Sequence, residues 1–396
     1  MRTAPSGRIA ALAVGAVFFA NGATFSSWSP RLPELQRELD ISDPALGLTL
    51  VGMGLGGLLS SVFSGWLVDR HGSRTMTMTT SAALALWLPI LGLAPTAVLV
   101  FSSLLVLGAL DGLTDVAMNS QAVELQRRVA RSIITRFHAV WSAGAVTGGV
   151  LASRAAAAGV SLRMQLLATG LVLAALTVVA SRFLLPDRRL ADRPPAEADA
   201  AHPRPARRIV VMLFLLGIAI ALAELPPNDW SALMLADRFD LTTGRAGLGY
   251  VAVAVGMLIG RLVGDLVTDR VGVDRTRRGG AALAAAGVVL AAALPTPWAS
   301  GIGLFVAGVG LSSLFPLVFR AASDLTNGSH SGMASFSAGA RLGFLLASPL
   351  MGVIAGATSV AWALVVVAGV AGVTVAAVRL PRPALAELEP AVTPPL

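Results

Sequence analysis

Cysteine is absent from the 396 residues, which excludes a disulfide framework, a thiolate nucleophile and any cysteine-based metal site. Histidine is scarce: His71, His138, His202 and His330 are scattered, with no pair at ligand spacing, so no metal centre is expected. Lysine is missing as well, and all 30 basic residues are arginine. Charged residues make up only 13% of the chain, against about 25% in ordinary soluble domains. There is no glycine-rich nucleotide loop and no nucleophile with a companion base, so neither an enzyme nor a cofactor is expected. Alternating ten-residue segments are also absent, which excludes an outer-membrane barrel.

What is present is apolar: 55% hydrophobic residues and a mean hydropathy of +0.75. Long runs of Ala, Leu, Gly and Val predict an all-α integral membrane protein, because a spanning segment must satisfy its backbone internally. At about 20 residues per span, twelve helices fit. They are expected near 8–28, 44–67, 75–94, 98–124, 133–157 and 162–184, then 208–231, 245–268, 279–295, 298–323, 331–357 and 359–379. The opening apolar run could pass for a signal peptide, but the pattern continues beyond it and it is read as the first helix. Residues 186–207, rich in Pro, Ala and charge, read as a disordered linker between six-helix bundles at 1–185 and 208–380, with a tail at 381–396.

The net charge of +8 does not require a nucleic-acid partner, since the arginines border the apolar runs. Placing the N-terminus inside puts Arg2, Arg8, Arg70, Arg74, Arg127, Arg128 and the linker cluster on the cytoplasmic side, together with Arg270, Arg275, Arg277 and Arg278. The outer side then receives only Arg31, Arg37, Arg154, Arg163, Arg238 and Arg245. Both termini are therefore expected in the cytoplasm of a cell whose plasma or inner membrane holds the protein as a monomer.

The two halves echo one another. "AVWSAGAVTGG" from Ala139 returns as "ASFSAGARLGF" from Ala334, and Trp28-Ser29 returns as Trp230-Ser231. Two Asp-Arg turns recur at matching places, "GWLVDRHGSR" from Gly65 and "GDLVTDRVGVDR" from Gly264. Shared order six spans apart argues for a duplicated unit. Gly72 and Gly272 would permit the tight turns, and Gly65 and Gly264 close helix approach. An acid at Asp69 or Asp269 could sit at a helix N-terminus.

These turns resemble the signature of the major facilitator superfamily of secondary transporters, Gly-x-Leu-x-Asp-Arg-x-Gly-Arg-Arg. The first copy matches at Gly65, Leu67, Asp69, Arg70, Gly72 and Arg74 and departs at Ser73; the second matches at Gly264, Leu266, Asp269, Arg270, Gly272 and Arg275, its last arginine one place late. The resemblance implies two pseudo-symmetric six-helix bundles and a latch between them at these turns. Asp115, Asn119, Gln121, His138, Trp141, Asp229 and Trp230 further resemble the bacterial MosC/YbjJ-type branch, related to fucose permease-like proton symporters. That group implies an acid in the first span, where this chain has Asn21.

Charges within the spans mark the candidate site. Asp111, Asp115 and Asn119 share one face of the fourth span and are expected to line a water-filled cavity, as proton carriers or with one acid serving an arginine. Glu224 precedes Pro226-Pro227, which should break the seventh helix, with Asn228 and Asp229 continuing outward. His138 is a further proton candidate, and Trp28, Trp141 and Trp230 either face a solute or pack. Arg261 and Arg320 are expected to snorkel at helix ends. Arg341, near the middle of the eleventh span, either neutralises Asp111 or Glu224 or holds an anionic group of the substrate, with the internal pair and a neutral substrate favoured. The expectation is an alternating-access transporter, coupled to protons, importing a small polar solute such as a sugar or polyol derivative; the alternative is a proton antiporter exporting a drug or metabolite.

Overall fold

A computed structural model describes residues 7–129, 133–186, 206–326 and 330–381. The expected linker and tail lie almost wholly outside these residues. Twelve long helical segments run α1 Gly7–Ser26, α2 Asp43–His71, α3 Ser73–Gly92, α4 Ala97–Val129, α5 Ile134–Ala157 and α6 Leu162–Ser181. The second set is α7 Arg207–Phe239, α8 Thr243–Val271, α9 Val273–Ala293, α10 Pro297–Leu325, α11 His330–Ala357 and α12 Val360–Ala377. Among the described residues, ten candidate spans are long and apolar enough to cross a membrane. The other two long helices, α5 and α9, are diluted by arginine at their ends.

Backbone packing makes the duplication physical. In the first half a Cβ on Gly22 would overlap the Trp141 carbonyl, and one on Gly144 the Phe19 carbonyl. In the second half, Gly217 stands in the same relation to Phe336, and Gly339 to Phe214. One constant offset relates all four pairs, the same offset that relates "AVWSAGAVTGG" to "ASFSAGARLGF". Thus α1 on α5 and α7 on α11 are one helix pair built twice, held by the small-residue contact that substitutes for hydrophobic driving force in lipid.

Gly72 and Gly272 turn the chain between α2 and α3 and between α8 and α9, with φ of 88° and 87°. Both have ψ near 150°, a region essentially closed to residues with a Cβ. The duplicated turn is therefore a backbone requirement as well as a charge pattern.

Pro226 and Pro227 do not break α7, which is helical from Arg207 to Phe239. The side-chain amide of Asn228 donates to the Glu224 carbonyl at 2.8 Å, and Ser29 donates to the Asn228 carbonyl at 3.2 Å. Packing against neighbours thus supports a proline pair that propensity alone would count as a stop.

The halves close at one end and part at the other. Gly47 and Gly352 bring α2 and α11 into backbone contact, Gly149 seats Tyr250 of α8 on α5, and Gly247 meets Pro30. Arg37 donates to the Thr243 hydroxyl at this same end. Beside it, Arg31 is buried on Glu34, with its Nη2 2.8 Å from the Val160 carbonyl. At the end carrying the Asp-Arg turns, a Cβ on Gly65 would meet nothing within 4 Å, and one on Gly264 would meet Ser313 Oγ at 3.2 Å. The expected close approach at Gly65 is therefore not made in this conformation.

Candidate functional site

A cavity of about 350 Å³ lies between the halves at mid-depth. Its walls come from α1, α2, α4 and α5 on one side and α7, α8 and α11 on the other. Asp111, Trp141, Glu224, Asn228, Asp229 and Arg341, all sequence candidates, line it, as does Trp28.

On the first-half wall, a hydrogen-bonded chain crosses three helices. The Trp141 indole donates to Asn21 Oδ1 at 2.7 Å, and Asn21 Nδ2 donates to Asp111 Oδ1 at 2.8 Å. Asn21 is buried behind the wall, so its role is to hold Asp111 and Trp141 in place. An amide suits the task because it accepts from one neighbour while donating to the other.

On the opposite wall, the Glu224 carboxylate has no hydrogen bond or ion pair among the described residues, and one oxygen of buried Asp229 is unpartnered. Arg261 is the residue that sequence reasoning misplaced. It reaches across to α5, donating to Ser142 Oγ at 2.5 Å and lying 5.5 Å from the centroid of the Trp141 ring. It does not snorkel, because its guanidinium is committed to Ser142 and Trp141 of the other half. With Asp265 only four residues on, the sequence carried no signal of this.

Arg341 has no carboxylate within 4.0 Å and no hydrogen bond among the described residues, so the expected internal ion pair is not formed. Other candidates lie elsewhere. Gln121 is buried outside the cavity, bonded to Ser73 Oγ at 2.7 Å and to both the N–H and the C=O of Leu185, so it pins the end of α6 to the start of α3. Trp230 is fully buried in the core. Asp115 does not line the cavity; it is exposed one turn beyond Asp111 and accepts from Asn119 Nδ2 at 2.9 Å. Fourth-span periodicity put these residues on one face, but of the three only Asp111 reaches the cavity wall. His138 is likewise outside the walls, edge-on to Phe18 at 5.5 Å. At the turns, Asp69 and Asp269 are exposed, Arg70 lies 5.5 Å from the Trp66 ring centroid, and Arg74 donates to the carbonyls of Ser181 and Arg182 within its own half.

Two helix bundles around a central cavity, closed at one end, is an architecture shared with solved transporters. The crystal structure of the nucleoside transporter NupG matches with a TM-score of 0.72 over 92% of this chain and 96% of its own, at 14% identity. An uncharacterised MFS-type transporter of Yersinia pestis is 31% identical over 309 residues, 78% of this chain and 79% of its own. The membrane protein MosC of Rhizobium meliloti is 28% identical over 381 residues, covering 95% and 91% of the two chains. The family profile of the Major Facilitator Superfamily matches residues 14–243 and again 230–394, and with the duplicated helix pair and the central cavity this makes the chain a multi-pass membrane transporter, not an enzyme, belonging to the major facilitator superfamily.

Proposed function

We propose that the protein couples the import of a small polar solute to proton movement by alternating access. Support comes chiefly from the placement of Asp111 and Glu224 on opposite halves of one cavity, neither tied to an arginine in an ion pair. A carboxyl free of a permanent cation can exchange its proton, and one on each half is differently exposed as the halves rock. The site would comprise Asp111 and Glu224 as proton carriers, with Asn228, Asp229, Trp141 and Arg341 around the solute. Asp115 and His138 are candidates for the proton's route from the open end.

By the arginine distribution, both termini and the two Asp-Arg turns face the cytoplasm of a plasma or inner membrane, and the conformation is inward-open. The latch around Asp69, Arg70 and Arg74 would join the halves when they close at that end. The functional unit is read as a monomer, because the cavity is complete within one chain. The rival reading is proton antiport exporting an amphipathic drug or metabolite, favoured by the Met53, Met257 and Phe344 walls. Proteoliposomes enclosing a pH-sensitive dye, challenged with sugars, polyols, organic acids and cationic drugs, test both. A solute that acidifies the lumen on entry supports symport, one that alkalinises it supports antiport, and solute uptake without any pH change refutes proton coupling.

A further inference from the structure

We infer that the transported solute is an organic anion, its carboxylate or phosphate held between Arg261 and Arg341 and its apolar body against the aromatic and methionine walls. This rests on the reading of the cavity as the transport site.

Two guanidiniums face one cavity, and neither has a carboxylate within 4.0 Å among the described residues. Each offers five donors. Arg261 spends one on Ser142, and Arg341 spends none among the described residues. Arg341 is exposed to the open cavity and Arg261 is partly buried beside it, so the two present unspent donors to the same space, where a ligand that supplies negative charge can take them.

The repeat shows that packing did not demand these cations. Arg341 occupies the place of Val146. The pairs Gly52 with Gly256 and Gly56 with Gly260, each pressed on a neighbouring helix, put Arg261 opposite Gly57 by the same offset. Both arginines therefore belong to the second half alone, and both depart from the duplicated scaffold at the cavity.

Internal pairing is incomplete. Asp111 is engaged by Asn21, and Glu224, the carboxylate that Arg261 feels, is farther than 4.0 Å from it, as Asp229 is from both guanidiniums. The ionisable groups facing the cavity are Asp111 from α4, Glu224 and Asp229 from α7, Tyr250 and Arg261 from α8, and Arg341 from α11. With the three carboxyls protonated, the two arginines leave a cavity complementary to an anion; with the carboxyls ionised, that complementarity is gone. Anion binding and proton uptake thus favour one another. Phe25, Trp28, Met53, Met257 and Phe344 line the walls, which fits an anion with a carbon body better than an inorganic ion.

The test uses the purified full chain in detergent. Quenching of tryptophan fluorescence is titrated with matched probes: benzoate against benzamide, phenyl phosphate against phenol, and a polyol. Arg341→Gln, Arg261→Gln and the charge-retaining Arg341→Lys are compared with the parent, with thermal unfolding as a check on folding. Saturable quenching by one or both anions and not by their neutral partners is expected, stronger at low pH. Each Gln variant should bind about tenfold more weakly or worse, the scale of losing charge-assisted hydrogen bonds, and Arg341→Lys less so. Carboxylate and phosphate are told apart by which probe binds. Equal binding of neutral partners, absence of quenching by either anion, or undiminished anion binding in folded Gln variants overturns the inference. If a neutral solute drives proton movement in proteoliposomes, the anion fails and the transport reading stands. If the anion binds but no pH gradient drives its accumulation, the anion site stands and the coupled-import reading fails.

Discussion

Replacing Asn21 with leucine removes the centre of the Trp141–Asn21–Asp111 chain at nearly constant volume. Two hydrogen bonds are lost, at 2.7 and 2.8 Å, and the Trp141 indole N–H and an Asp111 oxygen lose their partner. The indole bond is between neutral groups and should contribute about 0.5–1.5 kcal/mol; the bond to Asp111 should contribute about 1.5–3 kcal/mol when the carboxyl is ionised. Asn21→Leu should therefore cost about 2–4 kcal/mol, less whatever the buried leucine regains. Double-mutant cycles in reversible mixed-micelle unfolding separate the two. The cycle with Trp141→Phe should give a pH-independent coupling of about 1 kcal/mol. The cycle with Asp111→Leu should give a larger coupling at high pH that shrinks as the pH is lowered and Asp111 takes up a proton, because the donor then bonds a neutral acceptor. The same variant should lose pH-driven accumulation more than solute counterflow. Additivity of Asn21→Leu with both partners, within about 0.3–0.5 kcal/mol, would refute the claim that this chain positions Asp111.

Gln121→Leu should lower stability by about 2–4 kcal/mol, since it strands the buried N–H and C=O of Leu185, while leaving the solute affinity of folded protein unchanged; an altered affinity would return Gln121 to the cavity. Gly72→Ala and Gly272→Ala should each cost about 1–3 kcal/mol of unfolding free energy, because alanine does not tolerate their backbone angles. Asp69→Asn should weaken closure at the turn end while expression stays near normal, read by accessibility labelling of single cysteines introduced at that mouth; unchanged labelling discards the latch. Gly144→Leu and Gly339→Leu should damage folding to a similar degree, as each presses a side chain into an equivalent carbonyl, and a well-folded Gly339→Leu protein would break the argument from duplication.

Hydropathy is a one-dimensional property with the length scale of the bilayer, so the sequence alone determined that the chain spans a membrane as helices and about where each span lies. Repetition is also visible in one dimension, and the "SAGA" echo and the two Asp-Arg turns marked a duplicated unit whose register the glycine contacts share. Rotation about a helix axis and stagger along it are not written in hydropathy. They are set by where small residues let backbones touch, and only the tertiary structure decided them. That is why Gln121, on an apolar helix like Asp111, became a buried clamp, and why Trp28 faces the cavity while its echo Trp230 is sealed in the core. The prolines after Glu224 looked like a stop because propensity is local, whereas their helix is supported by neighbours far away in sequence. Arg261 and Arg341 read as a surface snorkel and half of an ion pair because partner and depth are three-dimensional facts; the fold put both into one cavity and gave neither a carboxylate within 4.0 Å among the described residues.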